Sequence, residues 1–212
     1  MPSDRDVFSS LRVRLVSDVG YLISLIEEKR LINENAPIPF WALLRTLFPI
    51  AESIGFLVHN SDKSVNNLTL IFSNNLVKYN DGYQKLANTL VIMYRHALMH
   101  TDIVRIIQYD DVQVGWVVDF DEGNKHLRIF PSNTGFKNRN NGSTGVLKFF
   151  IWFDIKQFYD DLLSLCRDLE ESGVGGQAKE RYNSWQIYFL DERQKVDQKA
   201  KTEIREMLES MV

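Results

Sequence analysis

Apolar residues recur every three or four positions through much of the chain, which is the spacing of one buried helical face. The first such stripe predicts a helix over residues 4–33. The pattern resumes at 40–57, after a break rich in asparagine and proline. Pro49 lies inside this second stripe and removes a backbone donor, so we expect it to kink or restart the helix.

Two further helices are predicted before the middle of the chain. Leu68, Phe72 and Leu76 mark a short one. Asp81 and Gln84 have the spacing of a capping box, which would begin a longer helix over about 82–105.

The periodicity changes from helical to alternating near residue 110. Apolar residues at every second position predict a strand over 112–118, and turn residues lead to a second short strand over 126–130, which together read as a β-hairpin. Residues 131–145 are rich in asparagine, glycine and serine and predict a mobile loop. Residues 146–153 are apolar on both faces, as in a covered central strand.

A second capping box, formed by Asp154 and Gln157, predicts a helix over 154–171. The pattern therefore indicates a mainly α (α+β) fold. Its predicted parts are a helical domain over 1–172 with a small antiparallel β-sheet inserted at about 110–153, a glycine-rich linker over 173–177 and a long C-terminal helix over 178–212.

Composition excludes several classes of protein without indicating a function. The 212 residues include one cysteine, Cys166, so an internal disulfide and a multi-cysteine zinc site are both excluded. The net charge of −3 creates no global attraction for nucleic acid. No apolar run reaches the roughly 18 residues of a membrane span, and MPSDRDVF does not resemble a signal peptide, so we expect a cytoplasmic protein. Phosphate-loop, dinucleotide-fold and serine-hydrolase motifs are absent from the sequence.

One short segment carries candidate chemistry. Arg95, His96 and His100 lie within six consecutive positions and among apolar neighbours. A buried guanidinium without a partner is costly, so this group must face water, a cleft or another subunit. On a helix His96 and His100 are about 40° apart, whereas Arg95 and His100 are about 140° apart. Only a bending side chain or a break in the helix would bring Arg95 to His100.

A histidine and an arginine suffice for metal-free cleavage of RNA. His100 can move a proton as base or acid, and Arg95 can stabilise the negative charge that develops on a phosphate. The ribose 2′-hydroxyl would attack the adjacent phosphate and leave a 2′,3′-cyclic phosphate. DNA lacks this hydroxyl and should not be cut.

The stretch Arg95-His96-x-x-x-His100 resembles the R-polar-x3-H form of the Rx4-6H motif of HEPN-domain proteins. These are small helical domains, many of them ribonucleases of bacterial toxin and defence systems, and the resemblance covers roughly residues 5–107. It implies that Arg95 and His100 are the catalytic pair, that His96 is the polar residue of the motif, and that two protomers join their motifs in a homodimer. Asp102 stands where HEPN toxins with a nucleotidyltransferase antitoxin often carry tyrosine, which argues against that pairing. An antitoxin or other regulatory protein remains a possible partner.

Other interpretations of the same residues stay open. The three side chains could be structural, with Arg95 paired to Asp102 or Glu52. His96 and His100 have the i, i+4 spacing of two zinc ligands, although no third ligand is evident and we predict no metal or cofactor. A catalytically inactive HEPN-like module that binds RNA or a protein is the alternative function.

The remaining candidate residues have simpler expected roles. Lys137 and Arg139 could contact an RNA backbone from the 131–145 loop. His59 should interact with the dipole at a helix C-terminus. His126 is expected to be an exposed cross-strand partner, and Cys166 a small buried hydrophobe.

Overall fold

The computed structural model describes residues 3–28, 40–61, 64–94, 107–109, 112–120, 123–131, 135–137, 144–146, 149–173, 177–185 and 201. Helices predominate in these ranges, and a small sheet packs beside them. The predicted mainly α, α+β class is confirmed at this level.

The N-terminal stripe forms a nearly continuous helical segment. Helix α1 (Asp4–Arg14) passes into a π-helical stretch over Leu15–Gly20 and then into α2 (Tyr21–Glu27). Ser3 caps α1 in a capping box with Asp6, which explains why the helix begins there. The rest of the predicted 4–33 helix lies beyond residue 28, outside the described residues.

Helix α3 (Phe40–His59) lies at the centre of the core. Pro49 is inside one continuous helix, so the predicted restart does not occur. Leu47, Phe48 and Ala51 are fully buried on both sides of the proline, and this packing holds both turns in the same core.

By length and composition α3 is long and apolar enough to cross a membrane, whereas the sequence pattern predicts no such segment. Seven of its apolar residues are fully buried by the rest of the described chain. They are Leu43, Leu44, Leu47, Phe48, Ala51, Ile54 and Leu57. Helix α3 is thus the core helix of this fold, and its position accounts for its composition.

Helix α4 (Ser64–Leu70) leads through a π-helical and a 3-10 turn to α5 (Gly82–Met93). The predicted capping box at the start of α5 is wrong. The backbone of Asp81 is already helical, whereas a capping residue needs an extended backbone, and its carboxylate pairs with Lys85. Asn80 Oδ1 accepts from the Gly82 N–H instead, at 2.8 Å.

The main sheet contains β1 (Ile107–Tyr109), β2 (Val112–Asp119), β3 (Ile129–Pro131) and β6 (Phe149–Asp154), in the order β1-β2-β6-β3. The apolar strand β6 is central, as predicted. The β2–β3 hairpin and the purely antiparallel sheet are wrong, because β6 inserts between these strands and runs parallel to β2. A strand with two apolar faces is most stable in this covered central position.

The predicted 131–145 loop contains paired backbone. Strands β4 (Gly135–Lys137) and β5 (Thr144–Val146) form an antiparallel pair. The residues between these strands lie outside the described ranges. Composition does not indicate the strands, because pairing through backbone groups needs no alternation of side chains over such short segments.

Two helices complete the described chain. Helix α6 (Ile155–Ser172) begins at Asp154, whose side chain accepts from the Gln157 N–H, and this confirms the predicted cap. Helix α7 (Ala178–Trp185) packs on α3, where the Arg181 guanidinium donates to the carbonyls of Leu57 and Val58. Most of the linker and of the predicted 178–212 helix lies outside the described residues.

Candidate functional site

The end of α5 is anchored in the core immediately before the predicted catalytic motif. Tyr94 is 1% exposed and stacks on Phe48, with ring centroids 4.4 Å apart and planes 15° from parallel. Phe48 also contacts four other aromatic rings, those of Phe72, Trp116, Phe153 and Phe158. Tight packing therefore fixes the position of Tyr94, the last described residue before the motif.

The predicted catalytic and RNA-binding side chains lie outside the part of the chain that the structure describes. This holds for Arg95, His96, His100 and Arg139. Lys137 contributes backbone to β4, and its side chain is not described. Their joint placement stays a prediction.

The described part of α5 separates an exposed row of side chains from a buried one. Gln84, Asn88 and Ile92 follow one another at i, i+4 spacing and are exposed, Ile92 by 47%. Ala87 and Val91 are buried at the same spacing. In sequence, position 95 is seven residues from the exposed Asn88 and three from Ile92, and position 96 is four residues from Ile92.

A buried polar network lies behind the beginning of α5. The Tyr83 hydroxyl donates to Asp161 Oδ2 at 2.8 Å, and His126 Nε2 lies 3.0 Å from the Tyr83 oxygen. The Asp154 N–H donates to His126 Nδ1 at 3.0 Å, and Gln157 Nε2 donates to Asp161 Oδ1 at 2.8 Å. His126 is 2% exposed and lies in a turn after β2, so the predicted exposed cross-strand histidine is wrong.

These contacts determine the protonation of His126. Because Nδ1 accepts from the backbone, the neutral ring carries its hydrogen on Nε2 and donates it to Tyr83. Burial lowers the pKa of His126 to about 3, and burial raises the pKa of Asp161. Burial, followed by the nearby Asp161 charge, also raises the pKa of Tyr83. With both ring nitrogens engaged, this histidine joins α5 to the sheet and α6 and is not a free acid or base.

Replacing Tyr83 with phenylalanine is expected to destabilise the protein by about 2 kcal/mol, because it leaves His126 Nε2–H without its acceptor and Asp161 Oδ2 without its donor. Urea unfolding at neutral pH measures the change. Tyr182, a half-buried tyrosine on α7, supplies the matched control, and Tyr182→Phe should change stability by less than about 0.5 kcal/mol. Equal effects of the two substitutions would contradict the assigned role of Tyr83.

An open cleft of about 430 Å³ lies between the beginning of α5 and the segment that leads into β3. It is lined by Asn80, Asp81, Gly82, Lys85, Leu86, Gly123, Asn124, His126, Leu127, Arg128 and Ile129. None of these lining residues belongs to the predicted motif, which follows the other end of α5 in sequence. Because the lining residues come from segments distant in sequence, no local pattern indicates the cleft.

The other predicted residues have structural roles. His59 ends α3, as predicted, and its Nε2 lies 2.8 Å from Asn75 Oδ1. Cys166 is buried, as predicted, and burial raises the pKa of its thiol to about 12. Among the described residues no group of three or more histidine, cysteine, aspartate or glutamate side chains could hold a metal ion.

Comparisons with protein-family models, with curated proteins and with solved structures find no match to this chain. The features of the chain that bear on its function are the sequence motif, the exposed row of α5 that precedes it, and the cleft.

Proposed function

We propose that this protein is a metal-independent endoribonuclease of HEPN type, with Arg95 and His100 as its catalytic pair and His96 beside them. The observation that carries the proposal is the exposed row of α5. Gln84, Asn88 and Ile92 are exposed, and helical spacing predicts Arg95 and His96 beside this row, three and four residues after Ile92. Groups that contact a substrate must be accessible, and this row supports such access for Arg95 and His96.

The spacing also assigns a role to Arg95. Position 95 is seven residues from the exposed Asn88 and three from the exposed Ile92, so helical spacing predicts an accessible side chain. A substrate phosphate would bind this guanidinium, which would stabilise the pentacoordinate phosphorus oxygens.

The proposed reaction needs only the groups of the RNA and of the protein. His100 accepts the proton of the 2′-hydroxyl, whose oxygen forms a bond to phosphorus, and the bond from phosphorus to the 5′-oxygen breaks. The products are a 2′,3′-cyclic phosphate and a 5′-hydroxyl, with the proton delivered to the leaving oxygen.

We further propose that the protein acts in the cytoplasm as a homodimer with its α5 rows facing each other. Ile92 is 47% exposed beside the motif, and an exposed isoleucine in this position suits contact with a second protomer. Lys137 and Arg139 would add contacts to the RNA backbone.

The test is cleavage of varied RNAs by the purified protein in the presence of EDTA. Arg95→Ala and His100→Ala should each lower the rate at least about 100-fold, since removal of a general acid–base group or of a charge-stabilising group has effects of this size. His59→Ala is the matched control and should leave the rate unchanged. DNA of the same sequence should remain intact, and the RNA product should carry the cyclic phosphate.

Three outcomes would contradict the proposal. Cleavage abolished by EDTA would favour a metal site on His96 and His100. Retained cleavage in both variants would remove the catalytic assignment. RNA binding by the unaltered protein without any cleavage would instead indicate the inactive binding module.

A further inference from the structure

The cleft at the beginning of α5 combines an apolar wall with polar groups at its rim. Leu86, Leu127 and Ile129 form the wall, and Ile129 is 53% exposed. A volume of about 430 Å³ is within the range of small-molecule sites. An exposed isoleucine side chain beside a cleft of this size offers contact area to a flat, apolar ring.

The rim carries two cations and one carboxylate. Lys85 pairs with Asp81, so its charge is partly compensated. Arg128 is exposed, and its guanidinium makes no hydrogen bond or ion pair with any residue in the described ranges. Its fork of N–H groups matches the oxygens of a phosphate and is available to bind one.

Side chains, rather than the end of the helix, would have to hold an anion here. The Gly82 N–H donates to Asn80 Oδ1 at 2.8 Å, and the Tyr83 N–H donates to the Asn80 carbonyl at 3.2 Å. These first amides of α5 are thus already satisfied. Asn124, by contrast, is exposed at the rim and can offer both a donor and an acceptor to a base edge.

We propose that this cleft binds a nucleoside monophosphate unit, either as a free nucleotide or as one residue of an RNA strand. The base lies against Ile129 and Leu86, the Arg128 guanidinium binds the phosphate, and Asn124 contacts the base edge. The inference does not depend on the proposed ribonuclease chemistry, because the cleft lining contains no residue of the motif.

Calorimetric titration of the full chain at low salt tests the site, with 5′-AMP, adenosine, inorganic phosphate and a 2′-O-methyl oligoadenylate as probes. The methylated strand cannot be cleaved by 2′-hydroxyl attack, so binding is measured without catalysis. Arg128→Gln should weaken AMP binding about tenfold or more. Ile129→Ser should weaken AMP and adenosine but leave inorganic phosphate unchanged.

The matched control is Arg14→Gln, which removes an exposed arginine of α1 that is absent from the cleft lining and should leave every affinity unchanged. Thermal unfolding of each variant checks that the fold is intact. Tighter binding of the oligoadenylate than of AMP assigns the cleft to RNA, and AMP binding alone assigns it to a free nucleotide. The proposal is overturned if neither probe binds saturably, or if Arg128→Gln and Arg14→Gln bind AMP equally.

Discussion

Acidification from pH 7 to pH 3 is expected to remove about 4 kcal/mol of stability through His126 alone. Burial lowers the pKa of this histidine from 6.5 to about 3 in the folded protein. Between these values the unfolded chain binds a proton that the folded chain does not. The stabilising contribution is therefore fully present above pH 6.5 and is lost as the pH falls toward 3.

The measurement is urea unfolding at intervals from pH 7 to pH 4. The unaltered protein should lose up to about 1.4 kcal/mol per pH unit in this window, which corresponds to one proton. His126→Gln removes the titrating group and should flatten this part of the profile, even if it lowers stability at pH 7. His59→Gln, a half-buried histidine bonded to Asn75, is the control and should retain the slope.

Asp161 has the opposite effect on the pH dependence of stability, so its contribution must be separated from that of His126. Its pKa is raised, chiefly by burial, so the folded protein holds a proton at pH values where the unfolded chain has released it. Its contribution is greatest below the unfolded value of 3.8 and falls as the pH rises through the folded pKa. The difference between the unaltered protein and His126→Gln isolates the histidine. An identical slope in both proteins would contradict the buried neutral ring.

Local sequence patterns predict the helices and helix caps that depend on residues three or four positions apart. The stripe that includes Phe8, Leu11 and Leu15 is helical and buried, because residues three or four apart share a face. The cap at Asp154 was predicted for the same reason, since its partner is three residues away. Pro49 shows where prediction from local patterns fails. Proline usually interrupts a helix, but tertiary packing keeps α3 continuous through this residue.

The sheet order and the polar network required information that local patterns lack. Alternation identifies β2 as a strand and a continuous apolar run identifies β6, but neither pattern says that strands more than 30 positions apart pair in parallel. Tyr83 is separated from His126 by 43 positions and from Asp161 by 78. A polar residue among strand residues is usually exposed, which is why the sequence predicts His126 at the surface, whereas its two hydrogen bonds allow it to be buried.

Gly55→Ala is expected to destabilise the protein by about 3 kcal/mol, at the upper end of the range for overpacking. A Cβ at this position in α3 would overlap the backbone carbonyl oxygen of Asn67 in α4 and lie 2.8 Å from its carbonyl carbon. Asn67 cannot retreat easily, since its side chain bonds to both the N–H and the carbonyl of Ser61, each at 2.9 Å. The gain of about 1 kcal/mol in helix propensity only partly offsets this overlap.

Gly20→Ala provides the matched comparison, because there the added Cβ would meet the hydroxyl of Tyr159 at 2.6 Å, which is the end of a side chain. Removing that hydroxyl relieves the overlap, so Tyr159→Phe should restore most of the stability that Gly20→Ala loses. Asn67→Ala removes the bonds to Ser61 but not the backbone atoms that obstruct Gly55, so it should restore only a small part of the stability that Gly55→Ala loses. Urea unfolding of the four single variants and the two double variants measures both double-mutant cycles, one at Gly20 and Tyr159 and one at Gly55 and Asn67. A neutral or stabilising Gly55→Ala would show that α3 and α4 do not approach each other as closely as this packing requires.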